Sequence, residues 1–215
     1  MADKLVDLAT LDLSKITFSD VKQYGSGGGK NIYINYNKQP LYIKTPTLNL
    51  PFGLSCWEGT KYSLRGSLGS EEGDDVFVEK IRAIENLIIE TAVKNSNAWF
   101  KKKDLTSEML TANFTSCISP SDKYQPLVKF QITKDTEAFL SKSEPIPTIN
   151  SDTIPKKSKV AVIAHLASIY IIGNTTFGIS AKAVHIKVTP PKVIGKPMFV
   201  VDSDVEDDAD VEDDN

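Results

Sequence analysis

The sequence predicts a mainly β domain carrying one long helix, an α+β fold, and three observations lead there. Short runs with an apolar residue at every second position recur through the first third of the chain and again from Val128 onward, the period of a half-buried strand. Between these runs, Phe77, Ile81, Ile84, Ile88 and Ala92 follow one another at steps of four and three, the period of a helix with one buried face. Near the C-terminal end the alternation slips by one residue inside a long run, which marks a β-bulge that bends a sheet.

The elements follow in order. Residues 1–30 hold a short amphipathic stretch and then Gly25-Ser26-Gly27-Gly28-Gly29-Lys30, a composition that gives a flexible N-terminal segment. This run is no phosphate-binding loop: Tyr24 stands where the first glycine belongs and Asn31 where a Ser or Thr must follow the lysine. Residues 31–45 read as a hairpin. Ile32, Ile34 and Tyr36 alternate before Asn37-Lys38-Gln39-Pro40, and Leu41, Ile43 and Thr45 alternate after it. A four-residue turn sets Tyr36 against Leu41 and Ile34 against Ile43 on the apolar face. It sets Asn35 against Tyr42 and Tyr33 against Lys44 on the other.

A third strand spans Lys61 to Gly69, with Lys61, Ser63 and Arg65 outward. Asp74-Asp75 opens the helix, carboxylates at the end its dipole favours, and the helix runs close to Trp99-Phe100 before Lys101-Lys102-Lys103. Thr106 to Thr111 reads as a short second helix capped by Thr106 or Ser107. Val128, Phe130 and Ile132 form a fourth strand with Lys129 and Gln131 outside, and 141–158 is a loop rich in Ser, Pro and Lys. Val160 to Ile172 is nearly continuously apolar, as in a strand buried on both faces or a long curved one. Gly173-Asn174 turns into a last strand over 176–188, with the bulge near Ala183. Three strands, a helix, then further strands ending in a long curved hairpin match an oligonucleotide/oligosaccharide-binding (OB)-like curved β-barrel with the helix between strands 3 and 4. The expected division is 1–30 flexible, 31–192 an OB-like domain and 193–215 a disordered acidic tail.

Charge is divided along the chain. Val201 to Asn215 carries nine of the 28 acidic residues and none of the 25 Lys and Arg. The body before it therefore sets 25 cations against 19 anions, about +6, although the whole chain is −3. A basic body attracts polyanions through phosphate neutralisation, and a tethered acidic tail competes for the same surface at high local concentration. No apolar run reaches the length of a membrane span, and Met1 to Lys15, with Asp3, Asp7 and Asp12, is not a secretory signal. Cys56 and Cys117 stand alone, which points to neither a disulfide framework nor a zinc site. An intracellular protein is expected, cytosolic, nuclear or viral, and not secreted.

Catalytic motifs are missing: there is no G-x-S-x-G elbow, H-E-x-x-H or carboxylate pair. His165 and His185 each fall within a strand pattern without Cys or carboxylate at ligand spacing, the pattern of structural histidines. No enzyme, cofactor or metal is expected. Single-strand binding needs aromatic platforms for bases and a cationic track for phosphates. Tyr33, Asn35, Tyr42, Lys44, Lys61, Arg65 and Lys129 all fall on outward strand faces and form the candidate nucleic-acid site. Trp57, Trp99 and Phe100 read as packing residues.

Specific strings carry a resemblance. Leu41-Tyr42-Ile43-Lys44-Thr45-Pro46, Leu50-Pro51-Phe52-Gly53-Leu54-Ser55-Cys56-Trp57 and Lys61-Tyr62-Ser63-Leu64 are three of them. Asn95-Ser96-Asn97-Ala98-Trp99-Phe100-Lys101-Lys102, Tyr124-Gln125-Pro126 and Thr176-Phe177-Gly178 continue the match. Together they resemble a family from nucleocytoplasmic large DNA viruses of algae and protists. That family is similar in turn to the single-stranded DNA-binding protein of short-tailed coliphages, an OB fold with an acidic C-terminal tail. The departures are Gln125 for a second proline, Tyr170 for a tryptophan, and a tail ending in Asn215 rather than an aromatic.

The resemblance implies a largely sequence-independent single-stranded DNA-binding protein in viral DNA replication, recombination or repair. Single-stranded DNA is then the partner, with viral DNA polymerase or recombination proteins reached through the tail, a homodimer as an option, and no membrane. The alternatives are a viral structural or protein-interaction protein with an OB-like barrel, and an RNA-binding factor.

Overall fold

In the computed structural model of the chain, the described residues are 5–24, 28–59, 61–68, 73–120, 125–140 and 143–191. The acidic tail expected over 193–215 lies outside them, as do Gly25 to Gly27 of the glycine-rich run. The principal strands are β1 (Gly29–Tyr36), β2 (Tyr42–Lys44), β3 (Leu48–Asn49), β4 (Leu54–Trp57), β5 (Lys61–Ser67), β6 (Leu127–Gln131), β7 (Glu137–Leu140), β8 (Lys159–Ile172) and β9 (Thr176–Thr189). The helices α1 (Asp74–Lys94), α2 (Ser96–Phe100) and α3 (Ser107–Asn113) all fall between β5 and β6. The fold is mostly β with few helices, and the helices follow five principal strands rather than the expected three.

The long hairpin β8–β9 organises the sheet. One edge of β8 takes three short partners in succession: β3 at Val160, β2 at Ile163 to His165, and β1 at Ser168 to Ile171. The other edge pairs with β9 throughout. From β3 the ladder passes to β5, from β5 antiparallel to β6, and from β6 through Gln131↔Lys182 to β9. Since β9 pairs with β8, the path of pairings returns to its start. The expected bulge is present. His185 pairs with Ile163 but Ala183 with Ala164, so Val184 is the extra residue, and a second shift occurs between Leu166 and Ser168.

The first hairpin departs from its expected register. Its turn has two residues, Asn37 and Lys38, both left-handed (φ 49° and 63°), and pairs Tyr36 with Gln39 and Asn35 with Pro40. Two left-handed residues give the turn whose twist matches that of the flanking strands. After Pro40 the chain leaves β1, and β2 pairs with β8 instead. The expected pairs Tyr33–Lys44 and Asn35–Tyr42 therefore do not form. The shift of the turn is by two residues, so each side chain keeps its face.

The N-terminal stretch expected to be flexible contributes structure. Ile16–Phe18 and Lys22–Tyr24 pair with β1, while Leu8, Leu11 and Ile16 are buried in the core. Asp7 and Asp12 each accept a backbone N–H two residues on, from Ala9 and Ser14, and so start tight turns that bring those apolar residues inward.

Helix α1 buries Phe77, Ile81, Ile84, Ile88 and Ala92 as its spacing requires, in one core with Ile32, Leu64, Phe130, Val162 and Ile186. It stops at Asn95, whose Nδ2 donates to Thr91 O at 2.9 Å. Thr106 caps α3 by accepting from Met109 N at 3.3 Å. Trp99 and Phe100 are buried, as expected of packing residues.

A buried lysine ties three elements together. Lys30 Nζ donates to Trp99 O at 2.7 Å and to Asn174 Oδ1 at 2.8 Å, joining β1, α2 and the β8–β9 turn. Its burial, and then the nearby charge of Lys101, hold its pKa below the usual lysine range.

A candidate single-strand-binding face

Strand alternation sorts side chains into core and outer face. On β8 Lys159, Ala161, Ile163 and His165 before the second bulge and Tyr170 after it face outward, and Ser168 shares their side although it is itself buried, while Val160, Val162, Ala164, Leu166, Ile169 and Ile171 are buried toward the core. Cross-strand register carries the outer face over its neighbours in rows. One row reads Tyr42, His165, Lys182, Gln131, Ser63 and Ser55. A second reads Tyr33, Ser168 and Ser180, and a third reads Lys22, Asn31, Tyr170 and Gly178.

Exposed rings stand on this face, Tyr33 in the second row and Tyr24 two residues beyond Lys22 of the third. Tyr33 is 44% and Tyr24 71% exposed. Lys22 Nζ lies 5.0 Å from the centroid of the Tyr33 ring, over one face of it, and Ser19 fixes the Tyr33 backbone through bonds of 2.9 and 3.0 Å. Tyr170 stands opposite Gly178, where a Cβ would come within 2.9 Å of the Tyr170 hydroxyl and 2.5 Å of Thr115 O. The missing side chain is what lets the tyrosine lie across the neighbouring strand. A groove of about 310 Å³ opens along this region, lined by Tyr24, Asn31, Gln131, Ser168, Tyr170, Ser180 and Lys182.

Cations outnumber acids on this face. Arg65 and Lys129 stand directly opposite one another on β5 and β6, a placement of like charges that destabilises a ladder. Lys22, Lys44, Arg65, Lys129 and Lys182 have no carboxylate within ion-pairing distance among the described residues. Lys61 differs: its ammonium lies 2.6 Å from Glu58 Oε2, which raises the lysine pKa and lowers that of the glutamate.

The seven expected residues are thus divided. Tyr33, Tyr42, Lys44, Arg65 and Lys129 lie outward on strands linked by continuous pairing. Lys61 is outward too but engaged by Glu58. Asn35 lies past the last β1–β8 pair, opposite Thr17 and Pro40.

Sequence reading missed Lys22, Tyr24, Gln131 as a member of the row, His165, Tyr170 and Lys182. It also took Trp57 for a packing residue, whereas Trp57 is 70% exposed opposite Lys61 at the end of the β4–β5 hairpin. The signal for Trp57 was there: its hairpin carries Ser55, Ser63 and Lys61 on the same side, a polar face that gives a tryptophan nothing to pack against. His165 stacks on Tyr42 with ring centroids 4.7 Å apart and planes at 28°. Burial, and then the charge of Lys182, lower its pKa.

A model of the family of unknown function DUF5871 matches residues 74–200, well over half of the chain. The chain belongs to the DUF5871 family. No curated protein matches its sequence. Among solved structures, this DUF5871 chain is similar to gp2.5, a single-stranded DNA-binding protein encoded by bacteriophage T7. The TM-score is 0.51 and the identity 11%, over 80% of this chain and 98% of that one. It also matches the single-stranded DNA-binding protein from bacteriophage Enc34 with a TM-score of 0.41 and 12% identity, over 90% of this chain and 99% of that one. At such identities the likeness to gp2.5 is one of fold.

Among the described residues of this DUF5871 protein, no group of three or more His, Cys, Asp or Glu could hold a metal ion. No described helix is long and apolar enough to cross a membrane.

Proposed function

We propose that the chain is a non-enzymatic protein that binds single-stranded DNA with little dependence on sequence. One observation carries this reading: Arg65 and Lys129 oppose each other without an acidic partner, on an outer face that also presents Tyr24, Tyr33, Tyr42 and Tyr170. A sheet folded only for stability gains by placing an acid across from a base. A sheet that grips a phosphate chain gains by leaving both cations open and setting rings beside them for bases to stack on. The fold shared with gp2.5, itself a single-stranded DNA-binding protein, supports the reading.

The finer parts of the proposal follow from it. The described domain is an OB-like barrel whose body falls within 31–192 and against which residues 5–24 pack, supported by the returning path of β8, β3, β5, β6 and β9 and by helices placed between β5 and β6. The protein serves viral DNA replication, recombination or repair inside the host cell. The acidic tail, 193–215, competes with DNA for the basic face and, once displaced, contacts polymerase or recombination proteins.

The test is Tyr42→Ala with Lys44→Ala, titrated with a fluorescent oligonucleotide. Weaker binding is expected, and an unchanged titration removes these residues from the site. Failure of the full chain to be retained on single-stranded DNA cellulose at low salt would point instead to a protein-interaction role.

A further inference from the structure

The chain has two histidines, and they sit in opposite surroundings. His185 is partnered: its Nε2 lies 3.3 Å from Glu137 Oε2, and its ring meets Phe139 edge-on. His165 is half-buried and stacked on Tyr42, with no described residue hydrogen-bonded to either ring nitrogen. The groups around it are cationic or neutral. Lys182 of β9 is its direct cross-strand neighbour on one side and Tyr42 of β2 on the other, with Lys44 two residues further along β2. Beyond the second bulge, Ser168 and, on β1, Tyr33 continue the face. The acid closest in register, Glu137 of β7, belongs to His185 in the adjoining row.

We propose that His165 and Lys182 form a phosphate subsite on this face, in which His165 takes up a proton from solvent as a backbone phosphate docks. The subsite rests on the single-strand reading and goes beyond it by naming where a phosphate sits and what its arrival does. An imidazole held partly out of water beside an ammonium disfavours its charged form. A phosphate placed between the two reverses both effects, since it accepts from the imidazolium and screens it from Lys182. The Tyr42 ring, packed flat against the imidazole, fixes the orientation in which it donates.

Linkage then sets the sign. In the free protein the pKa of His165 is lowered, by burial first and by Lys182 second, and an adjacent anion raises it. Between those two values the complex holds more protons than the free protein, so affinity rises as pH falls through that window and levels off below it. Lysine, tyrosine and carboxylate side chains ordinarily titrate outside the range from about pH 5.5 to about 7.5. Histidine is the side chain that ordinarily titrates within it.

The test uses the full chain and a rhodamine-labelled oligothymidylate at constant ionic strength, titrated from about pH 7.5 to about pH 5.5. A rise of about one pKa unit on binding makes affinity higher toward the acid end, by up to about tenfold once pH lies well below the free-protein value. His165→Asn should abolish most of this gain. His185→Asn should retain the gain. Calorimetry in two buffers of different ionisation enthalpy should register proton uptake by the parent and none by His165→Asn, and His165→Gln reads the same loss if the asparagine variant does not fold. A pH dependence that survives in His165→Asn, or binding without proton uptake, overturns the subsite and leaves the single-strand reading standing. Absence of binding by the parent at every pH overturns both.

Discussion

Replacing Lys129 by Gln should move stability and binding in opposite directions. Lys129 faces Arg65 across the β5–β6 ladder, both side chains are exposed, and no described carboxylate pairs with either. Directly opposed like charges cost a ladder roughly 0.2–1 kcal/mol, so Lys129→Gln should raise the unfolding free energy by a few tenths of a kcal/mol. The same change removes one cation from the proposed phosphate track. For a single strand each neutralised phosphate contributes about 0.7 to the slope of log affinity against log salt. Extrapolated from about 1 M to about 0.1 M salt, that slope is worth about fivefold in affinity per cation, near 1 kcal/mol. Arg65→Gln with Lys129→Gln should therefore lose about 25-fold and lower the slope by about 1.4. Urea unfolding gives the first quantity and anisotropy of a labelled oligonucleotide over a salt series gives the second. Stability and affinity falling together, or a slope that does not change, would refute the assignment of this pair to the track.

Three further outcomes follow from single side chains. Tyr33→Ala should weaken oligonucleotide binding by about 1–3 kcal/mol, the worth of one stacked base, with little change in salt slope, and an anisotropy titration separates the two effects. Gly66→Ala should destabilise by about 1–3 kcal/mol through overpacking, because a Cβ there would meet the Leu48 side chain at 2.7 Å; denaturant unfolding reads it. Buried Glu85 accepts from Ser116 Oγ and Cys117 N at 2.8 Å, and burial raises its pKa despite those bonds. A raised carboxyl pKa favours the fold at low pH and loses that contribution as pH rises through it, so Glu85→Gln should gain stability relative to the parent near neutrality and lose the difference in acid, while Glu85→Ala, which strips Cys117 N of its acceptor, should cost about 1–3 kcal/mol.

The parts of the fold legible in the sequence are those where local pattern and final environment agree. The α1 stripe from Phe77 to Ala92 is buried as its spacing requires, and the slip of alternation around Ala183 is a real bulge at Val184. What the sequence concealed depends on contacts distant along the chain. β2 leaves its hairpin partner because β8 is long enough to hold β3, β2 and β1 end to end, and nothing near Tyr42 encodes that.

The site shows the same division. Tyr33, Arg65 and Lys129 alternate visibly with apolar neighbours, which makes their outward placement legible. His165 lies in a run where Ala161 and Ile163 also face outward, so apolar residues occupy both faces and hide the period. Lys22 and Tyr24 sit in a three-residue strand, too short to show alternation. Trp57 is a ring whose composition suggests a core and whose hairpin places it in solvent.

The most direct measurement is a salt-series titration of the full chain with a single-stranded oligonucleotide and with a duplex of the same sequence. With Lys22, Lys44, Arg65, Lys129 and Lys182 open on one face, the single strand should bind with a log–log salt slope between about −2 and −4. It should bind more tightly than the duplex, whose bases cannot reach the tyrosines, and with little change when its sequence is altered. A slope near zero, or a duplex bound as tightly as the single strand, would contradict the account.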